Sequence, residues 1–186
     1  MKKPDTITKK IIYPALSLFL ICLVSVLLLA LTNELTKDQI EKNNRGNEVT
    51  QREVVFPGAK SYRELQSHVE CIDKDGNVIG YIFVTQGKGY GGDITVMTGI
   101  NTSGIITGVE VLSHTETSSY GGVAISSGLT DEYKDKEASI FVKGRNIDGW
   151  TGATRTTNGV IAAVNDAVIR YNTLKERGES ADASQQ

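Results

Sequence analysis

Hydrophobic positions along the chain fall into three regimes. From 11 to 31 they are nearly continuous and no charged residue interrupts them. From 68 to 112 they alternate with polar residues or cluster in short β-branched runs between glycine and asparagine turns. From 157 they recur every three or four residues. Twenty-one residues at about 1.5 Å rise reach about 30 Å, the thickness of a bilayer core, so the first regime predicts one transmembrane helix over 11–31. It is longer than the 7–15 apolar residues of a signal peptide, and Leu29-Ala30-Leu31-Thr32 offers no Ala-x-Ala cleavage site. The anchor is therefore expected to be retained.

After the span, residues 32–55 are polar and rich in helix formers. Leu35, Ile40 and a Glu41/Arg45 pair at i, i+4 point to a helical stalk or linker, although Asn43-Asn44 and Gly46 weaken it. Phe56-Pro57-Gly58-Ala59 ends any helix, because proline disfavours αR in the residue before it. Strands are predicted at 68–72, 78–84, 94–100 and 105–112, with turns at Asp75-Gly76 and Asn101-Thr102-Ser103-Gly104. Asp131-Glu132-Tyr133-Lys134-Asp135-Lys136 reads as a solvated, charged segment. The helical regime starts near Thr157, with Val160, Ile161, Val164, Val168 and Tyr171 on one face and Ala162, Ala163 and Ala167 filling it.

Four closely spaced strands followed by a helix give an α+β fold with an antiparallel sheet. The resulting division is a tail at 1–10, the span at 11–31, a stalk or linker at 32–55, one domain at 56–176, and a disordered Ser/Ala/Gln-rich tail at 177–186.

Charge adds direction to this picture. Four lysines against Asp5 give the first ten residues +3, which leaves −5 after residue 31 in a chain of net −2. The flank beyond the span, Asn33-Glu34-Leu35-Thr36-Lys37-Asp38, mixes signs. The positive-inside rule then puts the N-terminus in the cytoplasm and the domain outside the cell membrane. A mildly acidic body carries no electrostatic footprint for nucleic acid.

The scarcity of soft ligands narrows the chemistry. Cys22 lies in the span and Cys71 in the domain, so the two form no natural disulfide pair. With only His68 and His114 besides, no protein metal site is expected, and four thiolates for an iron–sulfur cluster are absent. Redox work by this chain requires an organic cofactor.

Three motifs are candidates for a site. Gly87-Lys88-Gly89-Tyr90-Gly91-Gly92 matches G-x-G-x-x-G, but a strand follows where dinucleotide binding needs a helix, so it reads as a glycine-rich turn capable of close backbone approach. His114-Thr115-Glu116-Thr117 ends a strand in a polar loop; with no third ligand it reads as a hydrogen-bonding corner. Asp148-Gly149-Trp150-Thr151-Gly152-Ala153-Thr154-Arg155-Thr156-Thr157 places hydroxyls and small residues before a helix, whose N-terminus is able to hold a phosphate. Its simplest explanation is a helix cap at Thr156 or Thr157.

Asp148-x-x-Thr151-Gly152-Ala153-Thr154 resembles the D-x-x-[ST]-G-A-T signature of domains to which a flavin transferase attaches FMN through the last threonine. The basic start, the single span, Gly87-Lys88-Gly89-Tyr90-Gly91-Gly92-Asp93, Gly108-Val109-Glu110-Val111-Leu112-Ser113-His114-Thr115-Glu116-Thr117 and the Thr motif occur in this order. Together they resemble the G subunit of Rnf ferredoxin:NAD oxidoreductase complexes. They are also similar to the C subunit of the sodium-pumping NADH:quinone reductase.

The resemblance implies an FMN-binding domain at 56–176 and a covalent phosphoester at Thr154, making the chain a phosphoprotein of an ion-translocating electron-transport complex, a translocase. It further implies that Asp148 matters for the attachment reaction, that Thr151, Gly152, Ala153 and Thr156 belong to the cofactor-binding site, and that Glu116 and Thr117 meet the polar edge of the flavin. No complete active site or metal is implied on this chain alone. The implied partners are multi-span flavin subunits, iron–sulfur subunits and the flavin transferase.

The family loop continues Glu-Thr-Pro-Gly-x-Gly, whereas this chain has Glu116-Thr117-Ser118-Ser119-Tyr120-Gly121, which removes the proline restraint and predicts a looser loop. Two other readings of the same residues are a stand-alone flavinylated extracytoplasmic reductase and an anchored binding or assembly domain without redox function.

Overall fold

The computed structural model describes residues 5–183, with the side chains of 12–35 and 50–177. Contacts divide the chain into two compact units between Asn47 and Glu48. Helix α1, Asp5–Val55, begins in the first unit and ends in the second. Within it, Ile12–Leu35 is long and apolar enough to cross a membrane, with mean hydropathy 2.8 and none of it buried against protein. Ser25 and Thr32 donate their hydroxyls to the carbonyls of Ile21 and Leu28 at 2.9 and 2.8 Å, so both are satisfied inside the helix, as an apolar surrounding demands. The helix passes Asn43, Asn44 and Gly46 without a break and stops two residues before Pro57.

The second unit is built on a five-stranded antiparallel meander, β1 Ser61–Glu64, β2 Val69–Ile72, β3 Val78–Lys88, β4 Asp93–Asn101 and β5 Ile106–Ser113, in the order β1-β2-β3-β4-β5. The sequence predicts four strands; β1 is the addition. Its four residues, Ser61-Tyr62-Arg63-Glu64, are mostly exposed, so its place comes from pairing with β2 rather than from apolar alternation. A cross-strand Arg63–Glu70 ion pair of 2.9 Å marks that edge. Strand β3 also runs four residues past the predicted end, taking Gly87 and Lys88 into the ladder with β4.

Both faces of the sheet are covered. Phe83, Ile94, Val96 and Ile100 pack against Val160, Val164, Val168 and Tyr171 of helix α3, Thr154–Ala183. Their neighbours Ile82 and Met97 point the other way and join Cys71, Val55 and Phe56. The predicted face of α3 is buried except for Ala162, which is exposed. The helix begins three residues earlier than the periodicity indicates and continues to Ala183, through most of the stretch read as a disordered tail; 184–186 lie outside the described residues, as do 1–4 of the N-terminal tail.

The last turn of α1 sits on a glycine floor. Added Cβ atoms at Gly99 and Gly108 would collide with Val55, and one at Gly80 with the Phe56 ring, while the Thr107 hydroxyl donates to the Val55 carbonyl at 2.7 Å. Burial pushes the Cys71 thiol up to about 12, Arg52 pulling weakly the other way, so this cysteine is a packing residue.

Between β5 and α3 the chain forms helix α2, Gly121–Ser126, a 3₁₀ turn at Asp131–Tyr133, and an irregular return across the sheet. The charged side chains of 131–136 are largely exposed as predicted, but Tyr133 turns inward and meets Phe141 edge-on at 5.0 Å. Asn165 of α3 holds Phe141 through both its backbone N–H and its carbonyl, at 2.8 and 2.9 Å.

Candidate functional site

Three segments meet at the N-terminus of α3: the β3–β4 turn, the loop after β5, and the residues leading into the helix. They enclose a cavity of about 540 Å³. Tyr90 comes from the first; Glu116, Thr117, Ser119, Tyr120 and Gly121 from the second; Gly152, Ala153, Thr154, Arg155 and Thr156 from the third.

Glu116 ties the three together. The residue is 8% exposed, and its Oε1 accepts the N–H groups of Tyr90 and Gly91 at 2.8 and 2.9 Å. Its Oε2 accepts the Thr156 hydroxyl at 2.6 Å. The glycines of the G-x-G-x-x-G run make this possible. A Cβ at Gly89 would collide with the Glu116 carboxylate, one at Gly91 with the Thr115 carbonyl, and one at Gly121 with both Glu116 and Thr156. Strand β4 begins at Asp93, directly after the run, and no helix is there to meet a dinucleotide.

The corner is closed by the Glu116 N–H donating to His114 Nδ1 at 3.2 Å and by the Gly122 N–H donating to the Thr117 carbonyl at 2.9 Å. The second bond closes a turn across Ser118, Ser119, Tyr120 and Gly121.

Burial pushes the Glu116 carboxyl up, but the hydrogen bonds from Thr156, Gly91 and Tyr90, helped by nearby His114, pull it further down, below its usual value of 4.5. A carboxyl lowered on folding adds stability above its unfolded pKa and loses it as pH falls through the folded one. Glu116→Gln is therefore expected to lower the unfolding free energy of the full chain at pH 7 by about 1–3 kcal/mol, the range for unpairing buried donors. The gap between wild type and variant should narrow as pH falls below about 4.5, the unfolded value. Denaturant melts from pH 3 to 7 read both effects; a gap independent of pH would mean that the ionised carboxylate is not what the site uses.

The approach to α3 is shaped by Gly152, whose φ of 87° places it in the left-handed region that glycine adopts without strain. Ala153 is buried, and Thr154 is exposed as the first helical residue. Thr156 and Thr157 do not cap the helix as the simplest sequence reading has it, because the helix starts before them. Both are buried in its first turns: Thr156 serves Glu116, while Thr157 donates to the Ala153 carbonyl at 3.0 Å and accepts the Trp150 N–H at 3.2 Å.

The other sequence candidates separate. Gly152, Ala153, Thr154, Thr156, Glu116 and Thr117 all border the cavity, while Asp148 and Thr151 are exposed and outside its wall. The Asp148 N–H donates to Glu132 Oε2 at 3.0 Å.

The structure adds residues that the sequence reading passed over. Tyr90 and Tyr120 border the cavity and are 69% and 65% exposed, Arg155 borders it, and Lys143 donates from Nζ to the Thr154 hydroxyl at 3.3 Å. Tyr90 lay inside a run read only for its glycines. Lys143 is eleven residues from Thr154 and comes near only through a turn, so no spacing rule marks it.

Comparison with known proteins fits this arrangement. A family model described as an FMN-binding domain matches residues 89–169, and one described as the RnfG N-terminal region matches 1–51. The G subunit of the Na(+)-translocating ferredoxin:NAD(+) oxidoreductase complex of Acetobacterium woodii is 30% identical over 190 residues, covering 87% of this chain and 91% of that one. The chain belongs to the RnfG family. Another G subunit, from the ion-translocating oxidoreductase complex of Aliivibrio fischeri strain MJ11, is 29% identical over 192 residues, 87% of this chain and 90% of its own. Among solved structures, Shewanella oneidensis NqrC aligns with a TM-score of 0.45 and 18% identity, over 58% of this chain and 64% of that one.

For this RnfG chain, the residues present fit FMN. The cavity falls in the ordinary 300–1,000 Å³ range for a cofactor. The first residues of α3 line it, and the Lys143 ammonium reaches the first of them, Thr154, an arrangement suited to a phosphate. Tyr90 and Tyr120 offer aromatic faces for a flat ring.

Proposed function

We propose that this chain relays electrons as the G subunit of an ion-translocating ferredoxin:NAD oxidoreductase complex of the Rnf type, using FMN joined to the Thr154 Oγ1 as a phosphoester. The observation that carries the reading is selective exposure. Of the four threonines in the motif, Thr154 alone both borders the cavity and is exposed, for Thr156 and Thr157 are buried and Thr151 lies outside the wall.

When bound, FMN supplies the redox chemistry. The chain supplies the rest. The first turn of α3 with Arg155 would hold the phosphate; Gly152 and Gly121 keep the wall open; Glu116 holds the β3–β4 turn against α3 so that Tyr90 stays at the rim.

The Lys-rich start supports a cytoplasmic N-terminus and an extracytoplasmic flavin domain anchored by the Ile12–Leu35 helix. A covalent link suits that side of the membrane, where no free flavin pool refills an empty site. Ferredoxin and NAD would be handled by partner subunits, and a flavin transferase would perform the attachment.

The intact mass of the chain isolated from its native membrane tests the proposal. The expected mass is the retained chain plus one FMN less one water. An unmodified mass would overturn the covalent reading.

A further inference from the structure

We infer that Lys143 binds the phosphate carried at Thr154, as its direct counter-charge. The inference rests on Thr154 being the attachment residue. The Lys143 ammonium already lies 3.3 Å from the oxygen that would become the ester oxygen. A phosphoester on that atom brings anionic oxygens within reach of the same three N–H donors. Between an ammonium and a neutral hydroxyl such a contact is modest, whereas with a phosphate it becomes a charge-assisted hydrogen bond of about twice the strength.

The local backbone is built to deliver this side chain. Lys143 bridges to Ile147 in a parallel pair, the Gly144 N–H donates to the Ile147 carbonyl at 2.8 Å, and Gly144 takes a φ of 75°. Asn146 accepts the Val142 N–H at 2.7 Å and donates to the Ile140 carbonyl at 3.0 Å, while Ile147 is buried in the core.

The lysine stem then runs over Gly149, where an added Cβ would collide with Lys143 Cε. A glycine in the Thr motif thus has a use unrelated to the flavin ring: it gives the lysine a track to Thr154. An ordinary surface lysine, free to sample its rotamers in water, needs neither the turn nor the track.

The test uses the full-length chain in detergent with purified flavin transferase and its flavin donor, comparing wild type, Lys143→Gln, Lys143→Met, Lys143→Arg and the exposed control Lys134→Gln. Lys143→Met keeps the apolar stem over Gly149 and removes only the charge. The ³¹P resonance of the attached phosphate should move in Lys143→Gln and Lys143→Met and stay in place in Lys134→Gln. At limiting transferase, attachment should slow about tenfold in the two neutral variants, equivalent to about 1.4 kcal/mol, with most of the rate restored in Lys143→Arg.

Neutral variants with the wild-type ³¹P resonance would overturn the inference. Its failure is separable from that of the attachment assignment: a Thr154→Ala chain that still takes covalent flavin defeats the assignment, while a dark Thr154→Ala chain beside an unshifted Lys143→Met resonance defeats only the role of Lys143.

Discussion

Thr154→Ala, co-produced with the flavin transferase, is expected to run as a dark band under ultraviolet light on a denaturing gel where wild type fluoresces. The loss should be complete, because a methyl group has no oxygen with which to form a phosphoester. The fold offers no competing explanation. Thr154 is exposed at the first position of α3, and alanine is a strong helix former, so stability should change by no more than about 0.5 kcal/mol. Thr154→Ser keeps the hydroxyl and should keep part of the flavin.

The informative companion is Thr156→Ala. It removes the 2.6 Å bond to Glu116 and leaves a buried carboxylate oxygen short of a donor, which costs about 1–3 kcal/mol while sparing the Thr154 hydroxyl. A bright Thr154→Ala band with a dark Thr156→Ala band would transfer the assignment to Thr156.

What the sequence made legible here was whatever depends on short spacing. The uncharged run, the helix stop before Pro57, the paired strands around Asn101-Thr102-Ser103-Gly104 and the face of α3 all follow from residues within one or two turns of each other. Strand β1 was hidden because a short, exposed edge strand needs no apolar pattern; its partner defines it.

The interior logic of the site was hidden for a related reason. Glu116 bonds to Tyr90 and Gly91, 26 and 25 residues away, and to Thr156, 40 away, so its part as a tie exists only after the sheet and helix have met. The G-x-G-x-x-G run misleads in the same manner. Its glycines are there for close approach, but what approaches is a carboxylate and neighbouring backbone rather than a pyrophosphate.

Gly87→Ala should be the most damaging single-methyl change in the domain, because Gly87 and Gly159 bring β3 and α3 together backbone to backbone. A Cβ at Gly87 would collide with the Gly159 carbonyl oxygen and press on its carbon and the Ala163 nitrogen as well. Those atoms belong to helix backbone, so the clash is not relieved by turning a side chain; α3 itself has to move. One turn further on, the Thr85 hydroxyl pins the helix by donating to the Ala163 carbonyl at 2.8 Å, which resists that movement.

Overpacking of this kind costs about 1–3 kcal/mol, and with backbone on the far side the upper end applies. For a domain of this size that is a fall in Tm of about 10 °C. Gly159→Ala should be milder. Its Cβ would stand 2.9 Å from the Lys88 carbonyl, but replacing a helical glycine recovers about 1 kcal/mol of propensity. Lys88→Ala, at an exposed position beside Gly87, serves as the neutral control.

Flavin attachment should fall with stability in Gly87→Ala, because α3 cannot be pushed off β3 at Gly159 without carrying Thr154 and Thr156 away from Glu116 and the cavity wall. An unchanged Tm would show that the two backbones do not approach as closely as described. A lowered Tm with full attachment would separate the helix start from the helix body. If both fall together, the same glycine pair that closes the core also sets the distance at which Thr154, the proposed attachment residue, faces the cavity.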